Sequence, residues 1–161
     1  ILRKNYCNLL KSIFFMKNKS LNYIQYSLML ISITLCVCGI RWLVSNEPWI
    51  LDQVANEERL KMTFEKLFAT EGNATLSEYL TQIYRFLGLY VLGIGFLLLS
   101  FTQYKFLEIY VVRKRLLTVL GMLLISNLVL AYIWIPSSHF IYLIWASIIV
   151  YFFSLFKHIK L

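Results

Sequence analysis

Two arginines border apolar stretches of the chain. Arg41 follows SLMLISITLCVCGI, and Arg85 precedes FLGLYVLGIGFLLL. A guanidinium beside hydrocarbon is costly, and its planar fork pairs well with carboxylates and phosphates. Two interpretations are open. The arginines either pair with Glu47, Asp52 or Glu78 and contact lipid phosphates, or together recognise an anion such as a lipid head group or an acidic metabolite.

Helical spacing groups each arginine with small or polar residues. At 100° per residue, one face of a first helix carries Arg41 with Ser27, Thr34 and Cys38, and one face of a second carries Arg85 with Gly88, Leu92 and Gly95. Glycine and other small residues let neighbouring helices approach closely. We therefore predict that these two faces meet and bring both arginines to one site. The predicted packing residues are Ser27, Thr34, Cys38, Gly88 and Gly95.

Asn127 is a third candidate, because it lies beside Ser126 in the middle of a third apolar run. An amide at that depth most often bonds a neighbouring helix, at about 0.6 kcal/mol. Contact with a bound ligand is the other interpretation. The candidate ligand-binding residues are thus Arg41, Arg85 and Asn127.

The remaining residues with reactive side chains predict no catalytic, metal or cofactor site. Deep within the apolar runs there is no Asp, Glu, Lys or His, so a proton relay is not indicated. His139 and His158 lie at opposite ends of one run, too far apart to share a metal or a haem. Cys36 and Cys38 point about 200° apart on a helix and cannot bond each other.

The elements that position these residues are four apolar runs of 18 to 20 residues, within a chain that is 60% hydrophobic. Each run is long enough to cross the roughly 30 Å hydrocarbon core as a helix, and none alternates as a membrane strand does. The predicted fold is therefore an all-α, four-helix membrane bundle. We place its helices at 26–44, 76–103, 116–135 and 139–156, within a membrane domain of residues 26–156.

The distribution of charge predicts an orientation. Seven of the eight acidic residues lie between residues 45 and 83, whereas lysine and arginine collect before the first run, between the second and third, and after the fourth. Cytoplasmic loops are enriched in Lys and Arg. Both termini are therefore predicted to be cytoplasmic, with residues 157–161 as a short tail. Because the basic residues lie at the ends of runs, the net charge of +8 does not indicate nucleic acid.

Residues 45–75 form the first outer loop and should contain a short amphipathic helix. Leu60, Phe64, Leu67 and Phe68 recur at helical spacing, with charged residues between them. Such a helix would lie on the outer surface of the bundle or in the membrane interface. The spacing of Thr75-Leu76-Ser77-Glu78 is that of a capping box, which predicts that the next helix starts near residue 76.

Residues 1–25 are predicted to be a basic cytoplasmic segment, with two interpretations for residues 1–15. They either precede a native start at Met16, or they form a basic amphipathic helix on the anionic inner leaflet. Met16-Lys17-Asn18-Lys19 before an apolar run favours the first interpretation.

The stretch Arg85-x-x-Gly88-x-x-x-Leu92-Gly93-x-Gly95, followed by three leucines, resembles the second helix of the DoxX-like superfamily of small bacterial membrane proteins. Pro48-Trp49 after the first helix is also similar, and the resemblance covers residues 24–156. It implies a four-helix fold in the bacterial inner membrane. Some members are linked to quinone or thiol redox processes. This chain has no accessible paired cysteine motif, so no redox residue follows from the resemblance.

Together these patterns favour a non-enzymatic membrane protein, either an accessory subunit or a protein that binds a lipid or another small ligand. The alternative is a membrane enzyme or redox-pathway subunit acting on a lipid-soluble substrate such as a quinone. The expected partners are the lipid bilayer and either another membrane protein or further copies of the chain. No cofactor is expected.

Overall fold

The computed structural model describes residues 2–161, with side chains from residue 18 onward. It is 84% helical, and residues 2–161 contain no strand, which confirms the all-α prediction. The predicted face of a helix within residues 1–15 lies outside the described side chains. The elements are α1 (Leu2–Val44), a 3₁₀ helix (Pro48–Asp52), α2 (Gln53–Leu60), α3 (Phe64–Ala69), α4 (Leu76–Phe101), α5 (Tyr104–Leu107), α6 (Tyr110–Trp134) and α7 (Phe140–Ile159).

Four of these helical segments are long and apolar enough to cross a membrane: Asn18–Val44, Leu76–Phe101, Tyr110–Trp134 and Phe140–Ile159. The shortest has 20 residues, which at 1.5 Å per residue is about 30 Å, the thickness of a hydrocarbon core. We call the side that holds residues 45–75 the capped end. The side that holds residues 103–109 and 157–161 is the basic end.

Three helices extend further toward the basic end than predicted. The first spanning segment begins at Asn18 rather than residue 26, α6 begins at Tyr110 rather than residue 116, and α7 ends at Ile159 rather than residue 156. Hydropathy alone ends these helices short of the basic end, because basic side chains can stay in a helix while their charged ends reach water. The start of α4 at Leu76 agrees with the prediction, although Thr75 makes no side-chain capping bond.

Helices α1 and α4 approach each other closely through glycines. A Cβ atom added to Gly39 would lie 2.6 Å from the backbone nitrogen of Leu92, and one added to Gly88 would lie 2.8 Å from the carbonyl oxygen of Gly39. One added to Gly95 would lie 2.7 Å from Cys36 Sγ. Any side chain at these positions would therefore push the helices apart, so the contact depends on backbone-to-backbone approach.

The helices follow one another around the bundle in the order α4, α1, α7, α6, each packed mainly against its neighbour. Their common core lies toward the basic end and includes Ile24 and Leu28 of α1, Leu98 of α4, Leu120 of α6 and Ile148 of α7. This order places α1 and α7 between α4 and α6, and α4 and α6 lie on either side of a groove.

The capped end contains a 3₁₀ helix and two short α-helices, where one amphipathic helix was predicted. The break lies at Lys61, which ends α2 in the left-handed conformation (φ 57°), and Thr63 Oγ1 then caps α3 by accepting from the backbone N–H of Lys66. Trp49 packs on Phe64 and Phe68, with ring centroids 6.2 and 5.3 Å away. The reversal at Lys61 folds α3 back onto Trp49, which a single straight helix would not achieve.

Gly88→Ala should destabilise the bundle by about 1–3 kcal/mol, because the new Cβ would overlap the backbone of α1. Thermal unfolding of the purified protein in detergent measures the loss. Gly93→Ala is the matched control, since a Cβ there meets nothing within 4 Å and alanine favours helix by up to about 1 kcal/mol. Equal stability of the two variants would contradict the glycine contact.

Candidate functional site

A groove of about 280 Å³ opens between α1 and α7 toward the capped end. α1 contributes Thr34, Cys38 and Arg41, which recur at helical spacing along one face, and α7 contributes Phe140 and Leu143. The Thr34 hydroxyl donates to the carbonyl of Leu30 in its own helix, at 2.9 Å, and so leaves the groove wall largely apolar. The groove therefore suits an apolar group, with charge available only near its mouth.

The mouth of the groove carries two side chains that can be cationic, Arg41 and His139. Arg41 is exposed, and within residues 18–161 no carboxylate lies within 4.0 Å of its guanidinium. His139 differs, because its Nδ1 lies 3.2 Å from Asp52 Oδ1. Of the two groups, only Arg41 has no carboxylate of residues 18–161 within 4.0 Å, so it is the one left for an incoming anion.

Asp52 connects the 3₁₀ helix to the loop between α6 and α7. Its carboxylate is 9% exposed and accepts a hydrogen bond from Ser138 Oγ at 2.5 Å, in addition to its contact with His139. Ser138 Oγ in turn accepts from the backbone N–H of Phe140, at the start of α7. Asp52 thus holds the start of α7 against the capped end. Because α7 forms one wall of the groove, Asp52 also positions that wall.

Further contacts attach the rest of the capped end to the bundle. Asn56 Nδ2 donates to the carbonyl of Trp49 at 3.2 Å and to the hydroxyl of Tyr84 on α4 at 3.1 Å. The Arg59 guanidinium lies 4.8 Å from the ring centroid of Trp134, at the end of α6. These contacts place the short helices of the capped end over α4 and α6.

The two arginines do not share a site. The α1 face that meets α4 carries Cys36 and Gly39, whereas Arg41 lies on the face that lines the groove with α7. Arg85 is exposed on α4 and does not line the groove. The prediction that the two arginine stripes meet is therefore wrong. The face of α1 that packs closely against α4 is the one that carries Gly39, opposite Gly88.

The predicted ion pairs with Glu47, Asp52 or Glu78 are also wrong for residues 18–161. The one pair within 4.0 Å in this part of the chain joins His139 to Asp52, not an arginine to an acid. Asp52 is engaged by the loop before α7, which offers a hydroxyl and an imidazole at closer range than either arginine. Both arginines consequently stay exposed at the surface of the helices.

The predicted packing residues and Asn127 lie in three different places. Gly88 and Gly95 lie on the α4 face that contacts α1, and Ser27 is buried at 8% exposure. Thr34 and Cys38 line the α1–α7 groove instead of packing against α4. Asn127 is exposed, and its Nδ2 donates to the carbonyl of Leu123 in its own helix at 2.8 Å. Asn127 therefore neither bonds a second helix nor joins the groove in this structure.

Arg113 forms a second polar connection, at the basic end, that the sequence did not indicate. The predicted helix boundaries place Arg113 in a loop. In the structure it lies within α6 and is only 4% exposed. Its Nε donates to His158 Nδ1 of α7 at 2.9 Å, and its Nη1 donates to the carbonyl of Leu107. Because an arginine only donates, Nδ1 of His158 must be unprotonated. With its donors engaged, Arg113 connects α5, α6 and α7 and is not available to a ligand.

Sequence reasoning missed Asp52, Ser138 and His139 as a group, because Asp52 lies 86 residues before Ser138 and meets the Ser138-His139 pair only in the fold. The local signals were the proline that begins the 3₁₀ helix, Pro48, and the serine two residues before α7, whose hydroxyl accepts from the backbone N–H of Phe140. Neither signal indicates that the 3₁₀ helix and the loop before α7 contact each other. Among residues 18–161 no group of three or more potential metal ligands is present, and Cys36 and Cys38 are free thiols.

No family model matches the chain, and no curated protein or solved structure is similar to it. The resemblance to the DoxX-like superfamily stays a prediction. The function is therefore argued from the groove and its charges.

Asp52→Ala should lower the stability of the bundle by about 1–3 kcal/mol, because Ser138 and His139 lose a buried acceptor. Hydrogen exchange should accelerate in residues 48–60 and 136–140 and stay slow in the middle of α4. Gln53→Ala is the matched control, since Gln53 is exposed and bonds only Glu57. Unchanged exchange around residue 138 in Asp52→Ala would show that Asp52 does not hold this loop.

Proposed function

We propose that this integral membrane protein is a non-enzymatic binding protein whose α1–α7 groove takes an anionic amphiphile. The apolar part of the ligand lies along α1 and α7, and its anionic head lies at Arg41. The observation that carries the proposal is an exposed arginine, free of any carboxylate within residues 18–161, at the mouth of an apolar groove.

The chemistry of the mouth supports an anionic head group. A guanidinium is charged at every physiological pH and offers paired donors that match carboxylate or phosphate oxygens. His139 cannot replace it, because Asp52 lies 3.2 Å from its ring. The head group of the ligand would therefore meet one fixed cation at the end of the first spanning segment, where hydrocarbon gives way to water.

The size of the groove supports a ligand that is only partly enclosed. Pockets that enclose a drug-sized molecule have volumes of about 300–1,000 Å³. At about 280 Å³ the groove is at the lower limit of that range. It can hold a head group and part of a chain while the rest of the molecule stays among the lipids, which is suitable for an accessory protein that captures or presents a lipid.

The pair formed by His139 and Asp52 favours one second candidate. An imidazole positioned by a carboxylate can donate a proton to, or accept one from, a bound molecule. A membrane enzyme or redox-pathway subunit acting on a lipid-soluble substrate such as a quinone could use this pair at the groove mouth. Loss of turnover with retained ligand binding in His139→Gln would distinguish this candidate from a binding protein.

Within the same proposal, the chain lies in a bacterial inner membrane with the capped end outside and both termini in the cytoplasm. The charge distribution supports this orientation, since seven of the eight acidic residues lie at the capped end and most of the basic residues at the other. The resemblance to the DoxX-like superfamily supports the same compartment. Its partner is either another membrane protein or a second copy of the chain.

Arg41→Leu should reduce co-purification of acidic lipids with the protein by about tenfold, because the ligand loses a charge-assisted contact. Arg41→Lys should restore only part of the binding, since an ammonium lacks the planar fork. Mass spectrometry of the purified protein measures the bound species. Arg85→Leu is the matched control, being exposed on α4 toward the same end but outside the groove. Equal losses in the two leucine variants would contradict a specific site at Arg41.

The orientation is tested with single cysteines in a background where the native cysteines are replaced by serine. Cysteine at Gln53 should react with a membrane-impermeant thiol reagent in intact cells, and cysteine at Lys114 should react only after lysis. Both positions are exposed, so burial does not confuse the comparison. Labelling of the Lys114 position in intact cells would invert the proposed orientation.

A further inference from the structure

We propose a second, independent lipid site: the groove between α4 and α6 holds an acyl chain of an anionic phospholipid, with the phosphate at Arg115. The site belongs to the leaflet at the basic end, whereas the α1–α7 groove opens toward the capped end. It does not rest on the function proposed for that groove, and it involves none of the same residues.

The groove results from the way the helices pack. α4 is held by α1 and α6 by α7, so Leu98 and Leu120 reach a common core while the outer parts of α4 and α6 stay apart. The gap has a volume of about 380 Å³ and is walled almost entirely by hydrocarbon side chains, such as Leu97 of α4 and Val119 of α6. Its one charged lining residue is Arg115.

Arg115 gives the groove a cationic end. The residue is exposed, and within residues 18–161 no carboxylate lies within 4.0 Å of its guanidinium. Its neighbour Arg113 is turned inward and donates to His158 and Leu107, so Arg115 is the arginine of this turn that remains available to the bilayer. An amphiphile with one anionic end and an apolar body matches this arrangement of charge.

The length of the groove matches one leaflet. On α6 the lining residues run from Val112 to Leu123, and the stretch from Arg115 to Leu123 is eight residues, which at the helical rise is about 12 Å. Half of the hydrocarbon core is about 15 Å. A lipid whose phosphate lies at Arg115 would therefore place its acyl chain along the groove and end near the bilayer centre, where the groove ends too.

The same geometry disfavours a helix as the occupant. A transmembrane helix of another protein needs a surface across both leaflets, whereas this groove covers one. A second copy in the same orientation would bring its own arginine-rich start of α6 toward Arg115, and like charges repel. Asn127, one turn beyond Leu123, bonds its own backbone and so does not require a partner helix. An acyl chain fits the groove without any further polar group.

The test uses the full chain in nanodiscs of phosphatidylcholine containing a minority of phosphatidylglycerol, with the retained lipid identified by native mass spectrometry. Arg115→Leu should reduce retained phosphatidylglycerol about tenfold relative to the unchanged protein. Lys114→Leu is the matched control, since this exposed neighbour carries the same charge and does not line the groove. Arg41→Leu should leave this pool of lipid unchanged.

A second pair of variants tests the groove itself. Val119→Trp should fill it and displace the lipid, whereas Ile125→Trp adds the same bulk at an exposed position of α6 that does not line it. Unchanged retention in either Arg115→Leu or Val119→Trp would overturn the proposal. A dimer that is lost in Val119→Trp would also overturn it, because it would show that a second copy covers the groove.

Discussion

The close contact between α1 and α4 determines how the rest of the bundle is arranged. At Gly39 and Gly88 the backbones are so near that an added Cβ would lie within 3 Å of the opposite helix. A contact of this kind tolerates little rotation of either helix. Because α1 is fixed against α4 on this face, its opposite face, with Thr34, Cys38 and Arg41, must turn toward α7. The position of the candidate site is therefore a consequence of where the glycines lie.

The two ends of the bundle are closed by different polar chemistry. At the capped end, the Asp52 carboxylate holds the loop before α7 through Ser138 and His139. At the basic end, the Arg113 guanidinium holds α5 and α7 through a carbonyl and an imidazole. Each of these groups is almost buried, so removing one partner leaves an unsatisfied charge, which is costly. These two connections explain why α7 keeps a fixed position although its spanning face is mostly exposed.

The two grooves lie where the helices are not held tightly. Between α1 and α7 the wall ends at Arg41, and between α4 and α6 it ends at Arg115. Each arginine is exposed, and within residues 18–161 neither has a carboxylate within 4.0 Å. An arginine that is paired inside the protein, such as Arg113, stabilises the fold. Arg41 and Arg115 have no such partner, so they are the residues to which we assign the proposed binding roles.

The sequence by itself determined the four spanning helices, because length and apolarity are local properties that a bilayer selects directly. It also indicated Gly88 and Gly95 as residues of close approach, and Arg41 as a candidate binding residue, which stays a prediction. Only the tertiary structure decided that Arg41 lies on the α1 face toward α7, away from Arg85. A helix has several stripes of polar or small residues, and the sequence does not say which stripe meets a given neighbour. The contacts of Asp52 with Ser138 and of Arg113 with His158 were likewise beyond prediction, because these partners lie 86 and 45 residues away and meet only after folding.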